Sequence, residues 1–452
     1  MNNKEKFNYK KGWKNNPEGK GLEKKTLYKD FGTERIDPER YHSNEFMDLE
    51  WEKVWTKTWL MACASSDIKS IGDYFNFNIG KESIIVMRSS EGTVSAFYNV
   101  CPHRGNKLLF EDFGFVKDIG CMFHGWKFNL DGTNKLVSDS ETFREEVLCY
   151  DLDLSRIRVE EECGFIWVTL SDNPVSVREY LGEVADHLDL YEVENMNVIR
   201  HVQSEWGANW KIGLEAFYET YHLSFIHPQT QGMMEDYFVQ LDTWNNGMNR
   251  MIVPFIEPSK RQEGHDLVNE STNIMLSDVG IDPIKFKGSA IEAKKAIQEK
   301  KREFSEKFNL GYNRFTDAQL TDSFVYGIFP NIQIGCHPEG VFVHKFMPHP
   351  KDPEIFVYDT SINYRTVDDP NYHVPGWFGL PEGTNTSGKI RPDIVRYPLG
   401  VKPDLGEVLE QDSELIPFVQ KGARSKGFRG PLWSEQELRL RHFHHELNKW
   451  IG

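Results

Sequence analysis

Hydrophobic and polar positions follow two different patterns along the chain, and the change falls near residues 170–175. Between residues 72 and 170, short runs rich in β-branched and aromatic residues are separated by Gly, Asp and Asn, as in DYFNFNIG, SIIVMRSSEG and GFIWVTL. This pattern predicts a compact all-β unit with tight turns. Farther along, VSVREYLGEVADHL and NWKIGLEAFYETYHLSF have helical spacing, whereas residues 322–365 again predict strands. The predicted fold class is therefore α+β.

Helical spacing predicts three further helices. EFMDLEWEKVWTKTWLMAC leads into the β unit, the Lys- and Glu-rich residues 285–308 form a surface helix, and SEQELRLRHFHHELNKWI closes the chain. The Gly- and Pro-rich stretch 370–405 predicts a loop. We expect a charged N-terminal arm over residues 1–45, an all-β domain with its lead-in helix over 46–172, and a second domain over 173–452.

Composition narrows the class of protein. The chain has 452 residues, of which 39% are hydrophobic, and a formal net charge of −16. That charge weighs against nucleic acid as a partner, because phosphates would be repelled. No apolar run approaches the roughly 18 residues of a membrane span, and the polar N-terminus lacks a secretory signal. The six scattered cysteines do not suggest a disulfide framework. We therefore expect a cytoplasmic protein with no membrane partner.

A paired Cys–His motif lies inside the predicted β unit. Its skeleton is C-x-H, seventeen residues, then C-x-x-H, formed by Cys101, His103, Cys121 and His124. Such pairs can bind one Zn²⁺ or an iron–sulfur cluster. Mixed pairs favour a [2Fe–2S] centre in which two thiolates hold one iron and two imidazoles the other. The zinc interpretation remains the alternative at this point.

A second candidate site lies in EAFYETYHLSFIHP, residues 215–228. Helical spacing would place Glu219 three residues before His222 on one face, with Glu215 one turn earlier and His227 five residues beyond His222. Two histidines are a weak metal signal by themselves. A buried aromatic helix with ordinary core histidines explains this stretch as well as a metal site does.

Both stretches resemble the Rieske non-haem iron oxygenases, specifically the catalytic α subunit of the aromatic-ring-hydroxylating dioxygenase family. NVCPHRG and CMFHGWKFNLDG are similar to the sequence motifs of its cluster domain. NWKIGLEAFYETYHLSFIHP, from Asn209 to Pro228, resembles the signature N-W-K-x-x-x-E-N-x-x-E-x-Y-H-x-x-x-x-H-P of its catalytic domain. Respiratory Rieske proteins carry two more cysteines, where this chain has Asn106 and Phe123. The resemblance implies an N-terminal all-β Rieske [2Fe–2S] domain and a C-terminal catalytic helix-grip domain with an antiparallel sheet.

The resemblance also implies the ligands of the metals. Cys101, His103, Cys121 and His124 would hold one [2Fe–2S] cluster, and a separate Fe(II) would complete each chain. The ligands of that Fe(II) would be His222, His227 and one carboxylate from EQDSELIPFVQKG. Asp412 is the first choice for this carboxylate, with Glu410 and Glu414 as rivals.

A carboxylate at the place of Glu219 connects two metal centres in this family. Glu219 would contact His222 of its own chain and His124 of the partner subunit. This arrangement implies a homotrimer, which a small β subunit could join. His337, His344 and His349 could line the pocket, but we predict that they are structural.

The implied activity is O₂-dependent hydroxylation of a small organic substrate, aromatic or alicyclic, as in aromatic hydrocarbon catabolism. Electrons would come from NAD(P)H through a reductase or ferredoxin, which the basic Arg104, Lys107 and Lys127 could receive. Two departures weigh against a simple arene dioxygenase: Ala216 replaces the usual Asn, and the bridging residue is a Glu in a shorter spacing. Whether one or two oxygen atoms are inserted remains open. The alternatives are an O- or N-dealkylating monooxygenase and, from another class, a non-catalytic Rieske electron carrier.

Overall fold

The computed structural model describes residues 21–172, 174–261, 267–369, 371–372 and 374–452. Most of the predicted N-terminal arm falls in residues 1–20, outside the described residues, as does residue 173 at the predicted domain limit. The strands of the N-terminal part are β1 (Leu60–Ala64), β2 (Asp73–Ile79), β3 (Glu82–Ser90), β4 (Thr93–Tyr98), β5 (Phe113–Phe115), β6 (Ile119–Gly120), β7 (Lys127–Phe128), β8 (Asn134–Leu136), β9 (Arg156–Glu162) and β10 (Phe165–Thr169).

The C-terminal part adds the strands β11 (Asn197–Trp206), β12 (Gln240–Thr243), β13 (Asn249–Val253), β14 (Ser323–Ile328), β15 (Ile332–His337), β16 (Gly340–Pro348), β17 (Phe356–Tyr364) and β18 (Val395–Tyr397). The helices are α1 (Asn44–Glu50), α2 (Glu145–Leu148), α3 (Val177–Leu181), α4 (Glu183–Asp189), α5 (Trp210–Phe217), α6 (Leu223–Ile226), α7 (Glu270–Asp278), α8 (Ala290–Phe308), α9 (Asp317–Thr321), α10 (Glu407–Ala423) and α11 (Leu438–Ile451).

Two sheets make up the N-terminal part. A seven-stranded antiparallel sheet has the order β1-β10-β9-β4-β3-β2-β5, and a small three-stranded sheet has the order β6-β7-β8. One Cys–His pair follows β4 and the other lies between β6 and β7. Both pairs are therefore on connections between strands, where a short loop can present its side chains to a metal.

The C-terminal part is built on an eight-stranded sheet in the order β12-β13-β14-β15-β16-β17-β11-β18. All its pairs are antiparallel except β11 with β18. Alternate residues of β15, such as Ile332 and Ile334, belong to a buried apolar core on one face. The helix α5 packs against β15, β16 and β17, and α10 packs against α5 and β11. The predicted α+β architecture is confirmed.

One apolar core joins the two parts of the chain. It contains Val86 and Ile166 from the seven-stranded sheet together with Trp206 and Phe356 from the eight-stranded sheet. Burial of such large side chains contributes roughly 1.5–3 kcal/mol each. The seven-stranded and eight-stranded sheets are thus packed against one core within one chain. The predicted limits at 46–172 and 173–452 remain a prediction.

Several predicted helices differ from the structure. The helix expected over Glu45–Cys63 ends as a π-helical turn at Trp51–Trp55, and residues 60–64 form β1 instead. The reason is tertiary, since β1 pairs with β10 and all five of its residues are buried. The helix expected over 175–188 divides into α3 and α4 at Gly182, which has a positive φ of 53°.

The charged helix expected over 285–308 begins later and is less exposed than predicted. Ser289 caps α8, and Glu292 completes the capping box. Lys294 and Lys301 are buried and form ion pairs with carboxylates of neighbouring segments. The closing helix and the strands of 322–365 are confirmed. None of the helices in the described ranges is both long and apolar enough to cross a bilayer.

Candidate metal centres

The two Cys–His pairs lie on loops with the same hydrogen bonds. The Cys101 amide donates to the Asn106 carbonyl at 2.8 Å, and the Gly105 amide donates to the Cys101 carbonyl at 2.9 Å. In the second loop, Cys121 donates to Trp126 at 2.8 Å and Gly125 donates to Cys121 at 2.9 Å. Gly125 has φ 72°, and a Cβ there would lie 2.9 Å from the Ser138 hydroxyl. Glycine is therefore required at this turn for both conformational and steric reasons.

The four side chains of these loops fit a cluster. Both thiols are buried, and the imidazole rings of His103 and His124 are 4.6 Å apart. The Nδ1 atoms of both rings are buried and have no hydrogen-bond partner within the described part of the chain. Unpaired buried nitrogens are costly unless a metal takes up their lone pairs. His103 also stacks on Trp126 at 4.9 Å, which fixes its ring plane.

Backbone amides around the second loop favour a thiolate. Burial alone would raise the pKa of Cys121, but hydrogen bonds from the amides of Phe123 and His124 outweigh it and lower that pKa. Burial raises the pKa of Cys101. Amide donors of this kind stabilise sulfur that is charged or bound to a metal.

A second group of ligand atoms gathers His222, His227 and Asp412. Their ligand atoms lie within 4.8 Å of one another. Asp412 Oδ1 is 3.1 Å from His227 Nε2 and 3.9 Å from His222 Nε2. The side chain of His227 is fully buried, that of Asp412 is nearly so, and the ring of His222 is 17% exposed. Two imidazoles and one carboxylate on one side of a metal leave positions open for other ligands.

Hydrogen bonds at the other ring nitrogens set the tautomers. His222 Nδ1 lies 2.5 Å from Glu219 Oε1, and His227 Nδ1 lies 2.6 Å from Gln411 Oε1. Because both oxygens are acceptors, each Nδ1 carries a proton, and in a neutral ring each Nε2 then presents a lone pair. Two lone pairs facing the Asp412 carboxylate repel it unless a cation lies between them. The donor set therefore fits a divalent metal.

Glu219 also organises the backbone at this site. The single helix predicted over residues 209–225 is wrong, since α5 ends at Phe217 and α6 begins at Leu223. Between them, Glu219 Oε2 accepts hydrogen bonds from the amides of Tyr221 and His222, so the carboxylate replaces helical acceptors. Burial alone would lower the pKa of His222, but the hydrogen bond and charge of Glu219 outweigh it and raise that pKa.

The structure separates the three acidic residues of EQDSELIPFVQKG. They lie on α10, which the sequence did not predict. Asp412 faces inward, whereas Glu410 and Glu414 both contact Lys402, at 3.1 and 2.9 Å. Gln411, which the sequence also missed, precedes Asp412 and further accepts a hydrogen bond from Gln229 at 2.9 Å. Its only sequence signal was its position beside a candidate ligand.

Other acidic residues are not part of these two ligand sets. The Glu215 carboxylate accepts hydrogen bonds from Tyr41 and His444, both at 2.8 Å. Glu162, Cys163 and Asp189 also form a group of metal-ligand types. Arg178 forms ion pairs with both carboxylates of that group, so a side-chain cation already neutralises part of its charge.

The metal-ligand group lies in a wall between two cavities. Glu219, His222 and Asp412 line both a cavity of about 310 Å³ and a larger one of about 680 Å³. The floor of the smaller cavity is one face of β13–β16, with alternate residues such as Met251, Val253 and Phe342. A largely apolar cavity beside a metal is the usual form of a small-molecule site.

His337 and His344, which we predicted to be structural, both line the smaller cavity. Burial lowers the pKa of His337 to about 3 and that of His344 to about 4, so both rings are neutral near pH 7. His349 lies apart from the cavity, where its ring accepts hydrogen bonds from the amides of Lys351 and Asp352.

Two family models match the chain. The model of the Rieske [2Fe–2S] domain matches residues 58–147, and that of the ring hydroxylating alpha subunit (catalytic domain) matches residues 193–452. Together they give the chain a [2Fe–2S] cluster and a mononuclear iron, so the zinc interpretation of the Cys–His motif is wrong. The resemblance stated from the motifs is confirmed.

Relatives and solved structures agree with this match. The glycine betaine monooxygenase oxygenase subunit of Pseudomonas aeruginosa is 30% identical over 189 residues, which are 42% of this chain and 44% of that protein. The matched stretch thus spans under half of the length of that curated relative. A quaternary ammonium Rieske monooxygenase superposes with a TM-score of 0.67 at 17% identity, covering 92% of this chain and 95% of that one. Naphthalene 1,2-dioxygenase from Rhodococcus sp. gives 0.64 at 16% identity, covering 92% and 94%.

Proposed function

Because the chain belongs to the family of ring-hydroxylating alpha subunits, we propose that it is the oxygenase component of a multicomponent monooxygenase. It uses O₂ to hydroxylate or dealkylate a small organic substrate, with electrons from NAD(P)H delivered by a separate reductase or ferredoxin. The observation that carries the proposal is the convergence of His222, His227 and Asp412 on the wall of the 310 Å³ cavity. An electron carrier has no need of an open metal position beside an apolar cavity.

The residues at both centres have distinct roles in this proposal. Cys101, His103, Cys121 and His124 hold the cluster, and His222, His227 and Asp412 hold the mononuclear iron. When bound, the cluster supplies single electrons and the iron supplies O₂ activation. Glu219 and Gln411 keep the protons of His222 and His227 on Nδ1, which leaves both Nε2 atoms free for the metal.

The cavity holds and shields the substrate. Its apolar wall includes Phe217, Phe255 and Trp377, which would bury the substrate by displacing water. Exclusion of water limits side reactions at the metal and fixes which C–H bond faces it. The specificity of the reaction then follows from the shape of this cavity.

Monooxygenation is favoured over ring dioxygenation by two observations. The glycine betaine enzyme that the chain resembles at 30% identity is a monooxygenase. In addition, Ala216 lines both cavities beside the metal-ligand group, where the ring-dihydroxylating pattern has an Asn side chain. The fold itself does not discriminate, since both monooxygenases and dioxygenases share it.

Electron transfer between subunits is part of the proposal. Within the described part of the chain, no hydrogen bond joins Glu219 to either cluster histidine. In a homotrimer, Glu219 would receive His124 of the partner subunit, so electrons would pass from one chain to the next. Large apolar side chains are exposed near both ends of this path: Met122 at 82% and Phe225 at 76%. Such exposure is typical of a surface that a partner covers.

The electron donor would dock near the cluster loops. Arg104 and Lys127 are exposed and Lys107 is partly exposed, all close in sequence to the cluster ligands. A local basic patch can attract an acidic ferredoxin although the whole chain carries a net charge of −16.

A single turnover with labelled oxygen tests the proposal. The purified, chemically reduced protein is mixed with ¹⁸O₂ and a panel of aromatic, alicyclic and N-methyl substrates, and products are analysed by mass spectrometry. We expect one labelled oxygen in the product, or loss of an alkyl group. Two labelled oxygens in one product would establish a dioxygenase. A protein with intact iron and cluster that yields no product from the whole panel would contradict the oxygenase function.

A further inference from the structure

The 310 Å³ cavity is lined by a histidine, His344, with a free ring nitrogen that the metal site does not use. Among the described residues that line this cavity there is no Lys or Arg, and the only carboxylates are Glu219 and Asp412 of the metal centre. The remaining wall is largely apolar, and His344 on β16 is one of its few polar side chains, with Thr220, Ser323, Gln333 and His337. A polar group in a largely apolar pocket usually fixes the orientation of a ligand.

His344 is held by two hydroxyl groups at one side of its ring. Its Nδ1 lies 2.7 Å from the Tyr358 hydroxyl and 3.1 Å from the Thr360 hydroxyl, both on the adjacent strand β17. In the part of the chain that the structure describes, its Nε2 has no hydrogen-bond partner. Gln333, its cross-strand neighbour on β15, also lines the cavity but forms no hydrogen bond with it there.

The geometry assigns the tautomer of this ring. Tyr358 is fully buried, and burial raises its pKa well above the usual range, so its hydroxyl keeps its proton. We take the short contact with Nδ1 as the hydrogen bond that this proton forms, so Nδ1 accepts. Because burial lowers the pKa of His344 to about 4, the ring is neutral, and its single proton is on Nε2.

We propose that His344 is a substrate-positioning residue that donates a hydrogen bond from Nε2 to an acceptor oxygen of the substrate. The substrate class that fits is a neutral, mainly apolar molecule with one carbonyl or ether oxygen away from the C–H group that reacts. A carboxylate finds no counter-charge in this cavity, and a pure hydrocarbon leaves the buried N–H without a partner. This inference rests on the proposed function for its biological meaning, but its test measures binding alone.

The test compares two bicyclic probes that differ by one oxygen, 1-tetralone and tetralin. Their dissociation constants are measured on the iron-loaded protein by equilibrium dialysis under argon, without turnover. The quantity of interest is the ratio of the tetralin constant to the 1-tetralone constant, compared between variants, because the different hydration of the two probes then cancels. His344→Phe should lower this ratio about tenfold, the size expected for loss of one hydrogen bond in a buried site.

Three variants make the result specific. His344→Gln retains an N–H donor and should restore most of the ratio, which a merely structural role would not explain. Tyr358→Phe leaves the ring without its fixed tautomer and should lower the ratio by a smaller factor, about threefold. His349→Phe, outside the cavity, is the matched control and should leave the ratio unchanged. The visible absorption of the cluster checks that each variant is folded.

The inference is overturned if His344→Phe changes the ratio by less than about twofold, or if neither probe binds the wild-type protein. Its failure can be distinguished from failure of the proposed function. Products of single turnover together with an unchanged ratio would refute the role of His344 only. A ratio that falls in His344→Phe, with no product from any substrate, would refute the oxygenase function and leave this binding role intact.

Discussion

The two candidate metal centres are assembled in opposite ways. The cluster loops each supply a Cys–His pair from a stretch of six residues or fewer, and both loops close with the same pair of backbone hydrogen bonds. The mononuclear site instead takes Asp412 from α10, almost two hundred residues after His222 and His227. The first centre is a local structure that is repeated, whereas the second exists only once distant segments have packed.

This difference decides what stabilises each centre. In the cluster loops, backbone turns fix the ligands, and Gly125 allows the tight approach to Ser138. At the mononuclear site, side-chain contacts across segments do so, as Gln411 does for His227 at 2.6 Å. Hydrogen-bonded partners of this kind typically change metal affinity or activity by about 10–100-fold. A substitution that removes the mononuclear site should therefore leave the cluster in place.

The largest effect is expected from Cys121→Ser. Loss of one thiolate ligand should remove the cluster, abolish its visible absorption and lower iron from about three to about one per chain. Turnover with the physiological reductants should be lost. Iron and acid-labile sulfide analysis provides the measurement, with Cys149→Ser, an exposed thiol, as the control. Retention of a full cluster in Cys121→Ser would contradict the assigned ligand.

Asp412→Ala should remove the metal from the mononuclear site only. Iron should fall from about three to about two per chain while the cluster spectrum stays intact. Turnover should fall by more than about 100-fold, beyond the range for an outer partner, because a direct ligand is removed. Glu414→Ala is the matched control, since Glu414 is exposed and pairs with Lys402. Equal loss of iron in both variants would mean that Asp412 is not the ligand.

Glu219→Gln tests the connection between the centres. Gln can still accept from His222 Nδ1 but lacks the charge, so iron and sulfide content should stay the same. Oxidation of the reduced cluster by O₂ in the presence of substrate should slow by about 10–100-fold, measured by stopped-flow absorption. Glu410→Gln, which is paired with Lys402, serves as the control. An unchanged rate in Glu219→Gln would show that the charge of this carboxylate is not needed for electron transfer.

The smallest effect concerns the fold that surrounds both centres. Burial lowers the pKa of His187 to about 4, with Arg250 lowering it further and Asp242 opposing. Because the folded pKa lies below the unfolded value of 6.5, the stability from the neutral ring is present above pH 6.5 and is lost as pH falls towards 4. Between pH 7.5 and pH 5 this residue should account for about 2 kcal/mol of lost unfolding free energy.

His187→Phe should remove that part of the pH dependence. Urea unfolding at both pH values gives the measurement, and the wild type should lose about 2 kcal/mol more than the variant. His187 packs against Trp244 and Tyr326, far from any proposed metal ligand in sequence, so a phenyl ring is a conservative replacement. Identical pH dependence in the two proteins would show that His187 does not contribute to the loss of stability at low pH.

Sequence patterns were reliable where neighbouring residues determine the outcome. The strands of 322–365 and the closing helix are confirmed, because period-two and helical patterns of apolar residues bury one face in each case. The paired Cys–His motif also singled out four residues on two loops whose imidazole rings lie 4.6 Å apart, since short turns place neighbouring side chains together. Patterns among residues that are close in sequence were sufficient to predict these features.

The helix expected over Glu45–Cys63 and the single helix expected over 209–225 failed because nonlocal contacts decided them. Pairing with β10 converts residues 60–64 into a strand, and the Glu219 carboxylate takes the amides that would continue α5. The sequence left Glu410, Asp412 and Glu414 as rivals, and only the packing of α10 turns Asp412 towards the histidines. Gln411 was likewise outside the reach of sequence patterns, and only the structure shows that His337 and His344 line the cavity while His349 does not. A motif specifies chemistry within a loop, whereas a site shared by distant segments depends on which face each segment buries.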